Sequence, residues 1–102
     1  MAKKSLEPLT EPMFYVLMCL FRENMYGTEI TNYVQELTEK RISLGPGTLY
    51  SILSVFQSEK LIEKCNSDGR RIVYAITDKG RQIYQNELSR LKKCIEDSNK
   101  VP

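Results

Sequence analysis

Apolar residues recur with helical spacing along most of the chain. In residues 11–24 they fall on every side of a helical wheel, and Thr10 and Pro12 suit the cap and first turn of a helix. A second helix is predicted over residues 27–40, where apolar residues follow the i, i+3, i+4, i+7 pattern. Because a helix that is apolar all round must be covered all round, we expect the first helix to contact both its own core and a second subunit.

The stretch GPGTLYSILSVFQSEKLI, residues 45–62, predicts a third helix with an unusually plain outer face. Gly45 is placed near its N-cap and Pro46 at its first position. Opposite the apolar stripe lie small or hydroxylated residues, without the Lys or Glu that usually cover a surface helix: Gly47, Ser51, Ser54 and Ser58. Such a face allows another molecule to approach the helix backbone closely.

From residue 61 the hydrophobic spacing changes from helical to alternating. Residues 61–65 and 71–77 are predicted to be strands, with Ile72, Tyr74 and Ile76 on one face, and Asp68–Gly69 between them is a hairpin-turn signal. We expect Ile42 to add one short β-bridge. The predicted fold class is therefore α+β and mostly helical.

A last helix is predicted over residues 78–97, capped by Thr77. Gly80 is expected to allow close packing of this helix on the sheet. Tyr84, Leu88, Leu91 and Ile95 follow a 4-3-4 spacing, typical of a coiled-coil seam but too short to associate alone. Packing of this seam against another subunit is the favoured interpretation, and packing within its own subunit is the alternative.

Charge is concentrated in one part of the chain. The 102 residues, enough for one domain, carry a net charge of only +2. Residues 60–81, however, hold six Lys or Arg and three acidic residues. The predicted hairpin is therefore basic at its tip, where Arg70 and Arg71 lie.

The composition excludes several kinds of chemistry. The chain has no histidine and three widely spaced cysteines, which argues against a zinc site, and no cofactor is expected. It has no phosphate-binding glycine loop and no general base beside a nucleophile, so it is not expected to be an enzyme. Each cysteine lies at or beside an apolar position, which predicts buried, reduced thiols and a cytoplasmic protein. The apolar run 13–21 is too short to span a membrane.

Two helices joined by a Gly/Pro turn and followed by a basic hairpin are typical of a winged helix-turn-helix. The third helix would enter the major groove, where hydroxyl groups can contact phosphates or base edges. Free N–H groups near Gly47 and Thr48 would form a phosphate site. A winged-helix module that binds another protein is the alternative, with Val55 as the one apolar anchor on that face.

Four segments together resemble the PadR family of bacterial transcriptional regulators: YG at 26–27, LGPGTLY at 44–50, LI at 61–62 and GRRIVYAITDKGR at 69–81. The resemblance implies a dimeric repressor whose third helix and wing bind a double-stranded DNA operator. Residues 1–77 would form the winged helix-turn-helix domain, residues 78–97 the dimerisation helix and residues 98–102 a disordered tail. The first helix would also contribute to the dimer interface.

The resemblance also implies which residues contact DNA. Family members commonly carry a basic residue where this chain has Ser54 or Val55, and a glycine where it has Lys60. Lys60, Lys64 and the wing are therefore expected to supply the missing charge. Tyr50 is expected in the groove, with packing at the edge of the core as the alternative. The predicted DNA-binding residues are Gly47, Thr48, Tyr50, Ser51, Ser54, Lys64, Arg70 and Arg71.

The first and last helices of two subunits would enclose apolar residues at the twofold axis. Methionines there suit a site that adapts to flat molecules, and the resemblance implies a planar aromatic effector. Because the chain has no tryptophan to stack such a ligand, dimer packing without a ligand is the preferred alternative. The predicted lining is Met13, Leu17, Met18, Tyr84, Leu88 and Leu91.

Overall fold

The protein consists of four helices and a small three-stranded sheet. The structure, a computed structural model, describes residues 8–69 and 71–102, and only the backbone of residues 66–68. The elements are α1 (Glu11–Arg22), β1 (Met25–Tyr26), α2 (Gly27–Leu37), α3 (Pro46–Ser58), β2 (Ile62–Asp68), β3 (Arg71–Ile76) and α4 (Asp78–Ser98). The predicted order of three helices, a hairpin and a last helix is confirmed, with β1 in addition.

Three helices begin where their capping residues predict. The Thr10 side chain accepts a hydrogen bond from the Met13 N–H at 3.2 Å, and Thr77 accepts one from Gly80 at 3.1 Å. Gly45 is the N-cap of α3, and Pro46 is its first residue. Local sequence therefore sets these helix starts.

Helix α2 ends at Leu37, three residues before its predicted end. The Thr38 hydroxyl donates to the carbonyl of Val34 at 2.8 Å and accepts from the N–H of Ile42 at 3.0 Å, which turns the chain back on itself. Glu39 and Lys40 then adopt left-handed conformations with φ of 53° and 68°. Such values are uncommon for residues other than glycine, so the sequence carries no turn signal at this point.

The strand order in the antiparallel sheet is β1-β3-β2. Strand β1 pairs Met25 with Tyr74 and Tyr26 with Val73. The expectation that Ile42 supplies a β-bridge is therefore wrong: Met25–Tyr26 occupies the third place in the sheet. Ile42 instead packs half-buried against the core.

The β2–β3 hairpin extends beyond the core and forms the wing. Tyr74 and Ile76 are buried, as their shared face predicts, whereas Ile72 is 38% exposed because it lies farther out on the wing. A bulge between Lys64 and Asn66 shifts the register of the two strands. Gly69 follows β2 with a φ of +69°, a conformation that favours glycine in a tight turn.

The core lies between α1, α2 and α3 and one face of the sheet. Its largest completely buried side chains come from these three helices and from the residue directly before β2: Phe56, Leu17, Leu20, Ile30, Leu53, Leu61, Val16, Val34 and Cys19. Helix α4 joins this core through Tyr84, whose ring stacks on Phe14 with centroids 5.2 Å apart and lies 4.7 Å from the ring of Phe21.

The expectation of three buried thiols is right for only one cysteine. Cys19 is buried in α1, and burial raises the pKa of its thiol to about 12, so the thiol stays neutral. Cys65 and Cys94 are exposed. Cys65 lies at the β2 bulge, and Cys94 lies in the last part of α4, where all residues from Lys92 onward are exposed.

Candidate nucleic-acid interface

The outer face of α3 is exposed and carries small polar residues. Gly47, Thr48, Ser51 and Ser54 are all exposed, while the apolar side of the helix lies in the core. The hydroxyls of Ser51 and Ser54 form no hydrogen bond with another described residue, so both are available to an external partner. Val55 is 37% exposed beside them. The face thus offers hydrogen-bonding groups and a close approach to the backbone.

The first turn of α3 provides free backbone donors. The first hydrogen bond of the helix runs from the Leu49 N–H to the carbonyl of the N-cap residue Gly45 at 2.9 Å, so the preceding N–H groups of Gly47 and Thr48 have no intrahelical acceptor. No side chain caps this end, and its first turn contains no acidic residue. A helix end of this kind attracts phosphate groups.

Tyr50 lies at the edge of the outer face and is 51% exposed. The Tyr50 side chain lies directly over Gly27, the first residue of α2. The pKa of the buried Tyr74 is raised, first by burial and second by electrostatic repulsion from the hydroxyl group of Tyr50. Tyr50 therefore combines packing between helices with exposure toward the outside.

A cavity of about 190 Å³ separates the first turns of α2 and α3. Its wall combines apolar side chains with the polar side chains of two threonines and an asparagine. The lining residues are Gly27, Thr28, Thr31, Asn32, Leu44, Pro46, Leu49 and Tyr50.

The wing contributes positive charge that is held in place by an aromatic ring. The Arg71 side chain donates a hydrogen bond from Nη1 to the Tyr26 hydroxyl at 2.8 Å, and its Cζ lies 4.6 Å from the centroid of the Tyr26 ring. Arg71 nevertheless remains exposed, so its charge can reach a partner. Arg70, the other predicted wing residue, lies outside the described residues.

Two lysines lie near the C-terminal end of α3. Lys60 and Lys64 are exposed and border one open depression together with Gln57 and Glu63. Lys60 has a φ of 64°, a conformation in which a glycine would be unstrained. The structure thus places both lysines beside α3, where the sequence predicted compensating charge.

Two of the six residues predicted to line a pocket between subunits are buried in the chain's own core. Leu17 is completely buried, and Tyr84 is buried against Phe14 and Phe21. The other four are half-buried and pack at the edge of the core: Met13, Met18, Leu88 and Leu91. Farther along α4, Ile95 is 62% exposed. On α1, Met18 borders a depression together with Leu37 and Arg41. On α4, Leu88, Leu91 and Ile95 leave one apolar side incompletely covered.

A comparison of the sequence with known protein families identifies the family of this chain. The family described as "Transcriptional regulator PadR-like family" matches residues 16–86, more than half of the chain. The chain belongs to the PadR-like family. This confirms the resemblance drawn from the sequence motifs, and it makes the protein a transcriptional regulator of a DNA-binding family and not an enzyme.

Known structures share the fold of this PadR-like regulator. A transcriptional regulator from Clostridium thermocellum superposes with a TM-score of 0.77 at 24% identity, covering 86% of each chain. A PadR family transcription regulator from hypervirulent Clostridium difficile has a TM-score of 0.73 at 22% identity, covering 86% of this chain and 94% of its own. An uncharacterized protein of Archaeoglobus fulgidus is 28% identical over 75 residues, 74% of this chain and 75% of its own length. The predicted α+β winged-helix fold is confirmed.

Two further properties concern only the described residues. Within residues 8–69 and 71–102, no helix combines the length and hydropathy needed to cross a membrane. In the same ranges, His, Cys, Asp and Glu side chains do not gather in a group of three or more that could hold a metal ion.

Three residues near these surfaces have contacts that the sequence did not reveal. Tyr26 holds Arg71, and Gly27 accommodates Tyr50, although both contacts join residues far apart in the chain. The only sequence signal was the YG dipeptide itself, which suggested the family but no contact. Glu87, buried in α4, pairs with Arg90 at 2.6 Å, and its position among polar neighbours gave no sign of burial.

Proposed function

We propose that this PadR-like regulator is a homodimeric repressor that binds a pseudo-palindromic operator in the cytoplasm. The observation that carries the proposal is the outer face of α3, with its unbonded hydroxyls and uncapped N-terminus, next to a cationic wing. Small hydroxylated residues permit close contact with base edges, and the helix start and Arg71 suit phosphates. Repression needs no further contact surface, because a bound dimer excludes other proteins from the same DNA.

The incompletely covered apolar side of α4 supports the dimer. Leu88 and Leu91 are half-buried and Ile95 is exposed, in the spacing of a helix–helix seam. A twofold dimer presents two α3 helices, so its half-sites should lie about one helical turn apart, roughly 10 bp. The residues proposed to contact DNA are those predicted from the sequence, with Arg70 carried over from the sequence alone.

A protein-binding winged helix is less well supported. Such a module should expose several apolar anchors on α3. Among the described residues of that helix, only Val55 and Tyr50 are large apolar or aromatic residues that are exposed. One side chain of this size makes a poor anchor for a protein interface.

The test is to select duplexes from a random-sequence library with the purified protein and to measure affinity at several salt concentrations. Arg71→Ala should weaken binding to selected and random duplexes alike and reduce the salt slope by about one unit, because it removes one phosphate contact. Ser51→Ala and Ser54→Ala should instead reduce discrimination between the two duplexes, with the salt slope unchanged.

Two results would contradict this assignment. The first is that the wild-type protein enriches no sequence, which would remove the operator proposal. The second is that the serine variants lose equal affinity for selected and random duplexes, which would mean that α3 does not read bases.

We propose, as a separate step, that the four half-buried residues of α1 and α4 line a site for a planar aromatic effector between the subunits. Its support is the adaptable methionine pair on α1, and plain dimer packing stays the alternative. A thermal-shift screen with planar aromatic dyes and phenolic acids tests it. An effector should weaken operator affinity, and operator should weaken effector binding by the same factor. Ligands that bind without changing operator affinity would contradict this role.

A further inference from the structure

We propose that Gly27 is a positioning residue for DNA recognition, because its missing side chain leaves the space that the Tyr50 side chain occupies on the DNA-facing surface. Gly27 itself would not contact bases. Its part would be to set where Tyr50 stands relative to the rest of the outer face of α3. The inference rests on the proposed DNA-binding function and deepens it.

Backbone conformation does not explain a glycine at this position. Among the described glycines, only Gly69 has a positive φ. Gly27 is the first residue of α2, where glycine is a poorer helix former than alanine. A larger residue would therefore be acceptable to the backbone and favourable to the helix, so the reason for glycine must lie in the space around it.

That space is taken by one side chain. A Cβ atom on Gly27 would lie 2.7 Å from the Tyr50 hydroxyl oxygen and 3.3 Å from its Cζ, both closer than ordinary contact. The next atom, Cδ2 of Leu49, would be at 3.5 Å, an ordinary van der Waals distance. Because the overlap involves the far end of a rotatable side chain, alanine at this position should move the Tyr50 ring and leave the fold intact.

The position of Tyr50 matters because of what surrounds it on α3. Gly47 precedes it by three residues and Ser54 follows it by four, so all three share one side of the helix. The ring also borders the cavity between the first turns of α2 and α3. A displaced ring would therefore turn into that cavity or out over its neighbours, and either movement changes the surface presented to a base pair.

Tyr26, the residue before Gly27, contacts the wing. Tyr26 holds the Arg71 guanidinium by a hydrogen bond and a stacking contact, and its backbone pairs with Val73 of β3. The Tyr26–Gly27 dipeptide thus contacts both DNA-facing elements, α3 through Tyr50 and the wing through Arg71. Its place at the start of α2 makes it the point where the two elements are set relative to each other.

A double-mutant cycle tests the inference. The probes are a duplex selected by the wild-type protein from a random-sequence library and a shuffled duplex of the same composition. Affinities are measured for the wild type, Gly27→Ala, Tyr50→Ala and the double variant, together with thermal unfolding and sedimentation. Gly27→Ala should lower affinity for the selected duplex about tenfold and for the shuffled duplex less than about twofold, with an unchanged or raised Tm. In the Tyr50→Ala background the same change should alter affinity by less than about twofold.

Other outcomes would overturn the inference. An equal loss with and without Tyr50 would mean that position 27 acts by itself, and unchanged discrimination in the wild-type background would mean that the place of Tyr50 is irrelevant. A loss that follows a lowered Tm or a changed oligomeric state would make Gly27 merely structural. If the wild-type protein selects no duplex, both the proposed function and this inference fail. If it does select one, any of the preceding results overturns this inference and leaves the proposed function standing.

Discussion

Replacing both Leu88 and Leu91 by glutamate is expected to give monomers, or insoluble protein, and to abolish tight operator binding. The two side chains are half-buried on α4 and pack at the edge of the core. Two carboxylates in an apolar interface would have to be desolvated without partners, which costs several kcal/mol. Loss of the second half-site contact should then lower operator affinity by about 100-fold or more. Sedimentation velocity and a gel shift with the selected duplex measure both effects.

A matched control is available on the same helix. Gln85 and Ser89 are exposed, so replacing both by glutamate makes the same change in charge without touching the proposed interface. This control should remain dimeric, with at most a small loss of affinity from added negative charge. A monomeric wild type at micromolar concentration would contradict the dimer and, with it, the two-half-site operator.

Gly80→Ala is expected to lower the free energy of unfolding by about 2 kcal/mol, and the Tm by about 10 °C. A Cβ at this position would overlap the carbonyl oxygen of Leu61 and lie 2.7 Å from Cγ1 of Ile76. The Leu61 carbonyl cannot move easily, because it accepts a hydrogen bond from the N–H of Thr77 at 2.9 Å. Thermal unfolding followed by circular dichroism measures the effect.

Gly47→Ala serves as the control for stability. Gly47 also lies in the first turn of a helix, but apart from its chain neighbours and the backbone of its own helix, a Cβ there would meet no atom within 4 Å. Its Tm should be unchanged or slightly raised, since alanine is the better helix former. Equal losses in the two variants would show that the close approach of α4 to the Leu61 backbone is not what requires glycine at position 80.

The local sequence predicts where three of the four helices begin. Thr10, Pro46 and Thr77 mark the starts of α1, α3 and α4, and all three starts agree with the structure. Caps and alternation act within a few residues, so their signals are readable along the chain. Gly80 was predicted to allow close helix–sheet packing, and its position against Leu61 agrees with that.

The candidate DNA-facing surface was predictable only in part. The plain outer face of α3 follows from helical spacing, and the structure leaves it exposed. The contacts that organise it did not follow. Tyr26 and Arg71 are separated by 45 residues, and no local pattern indicates that the guanidinium of one stacks on the ring of the other. The same holds for the Tyr50 side chain over Gly27, which depends on how α2 and α3 cross.

Hydrophobic spacing and capping residues were enough to predict the helices and the hairpin, and the distribution of charge predicted the basic wing. Membership of the PadR-like family was suggested by four short segments together and confirmed by the family match. Spacing could not show which strand completes the sheet, because the two residues of β1 form a strand only by pairing with β3. Nor could it show that Leu17 and Tyr84 are buried within their own subunit while Cys65 and Cys94 are exposed. Burial depends on which faces of distant elements meet, and that choice is made by packing the whole chain at once.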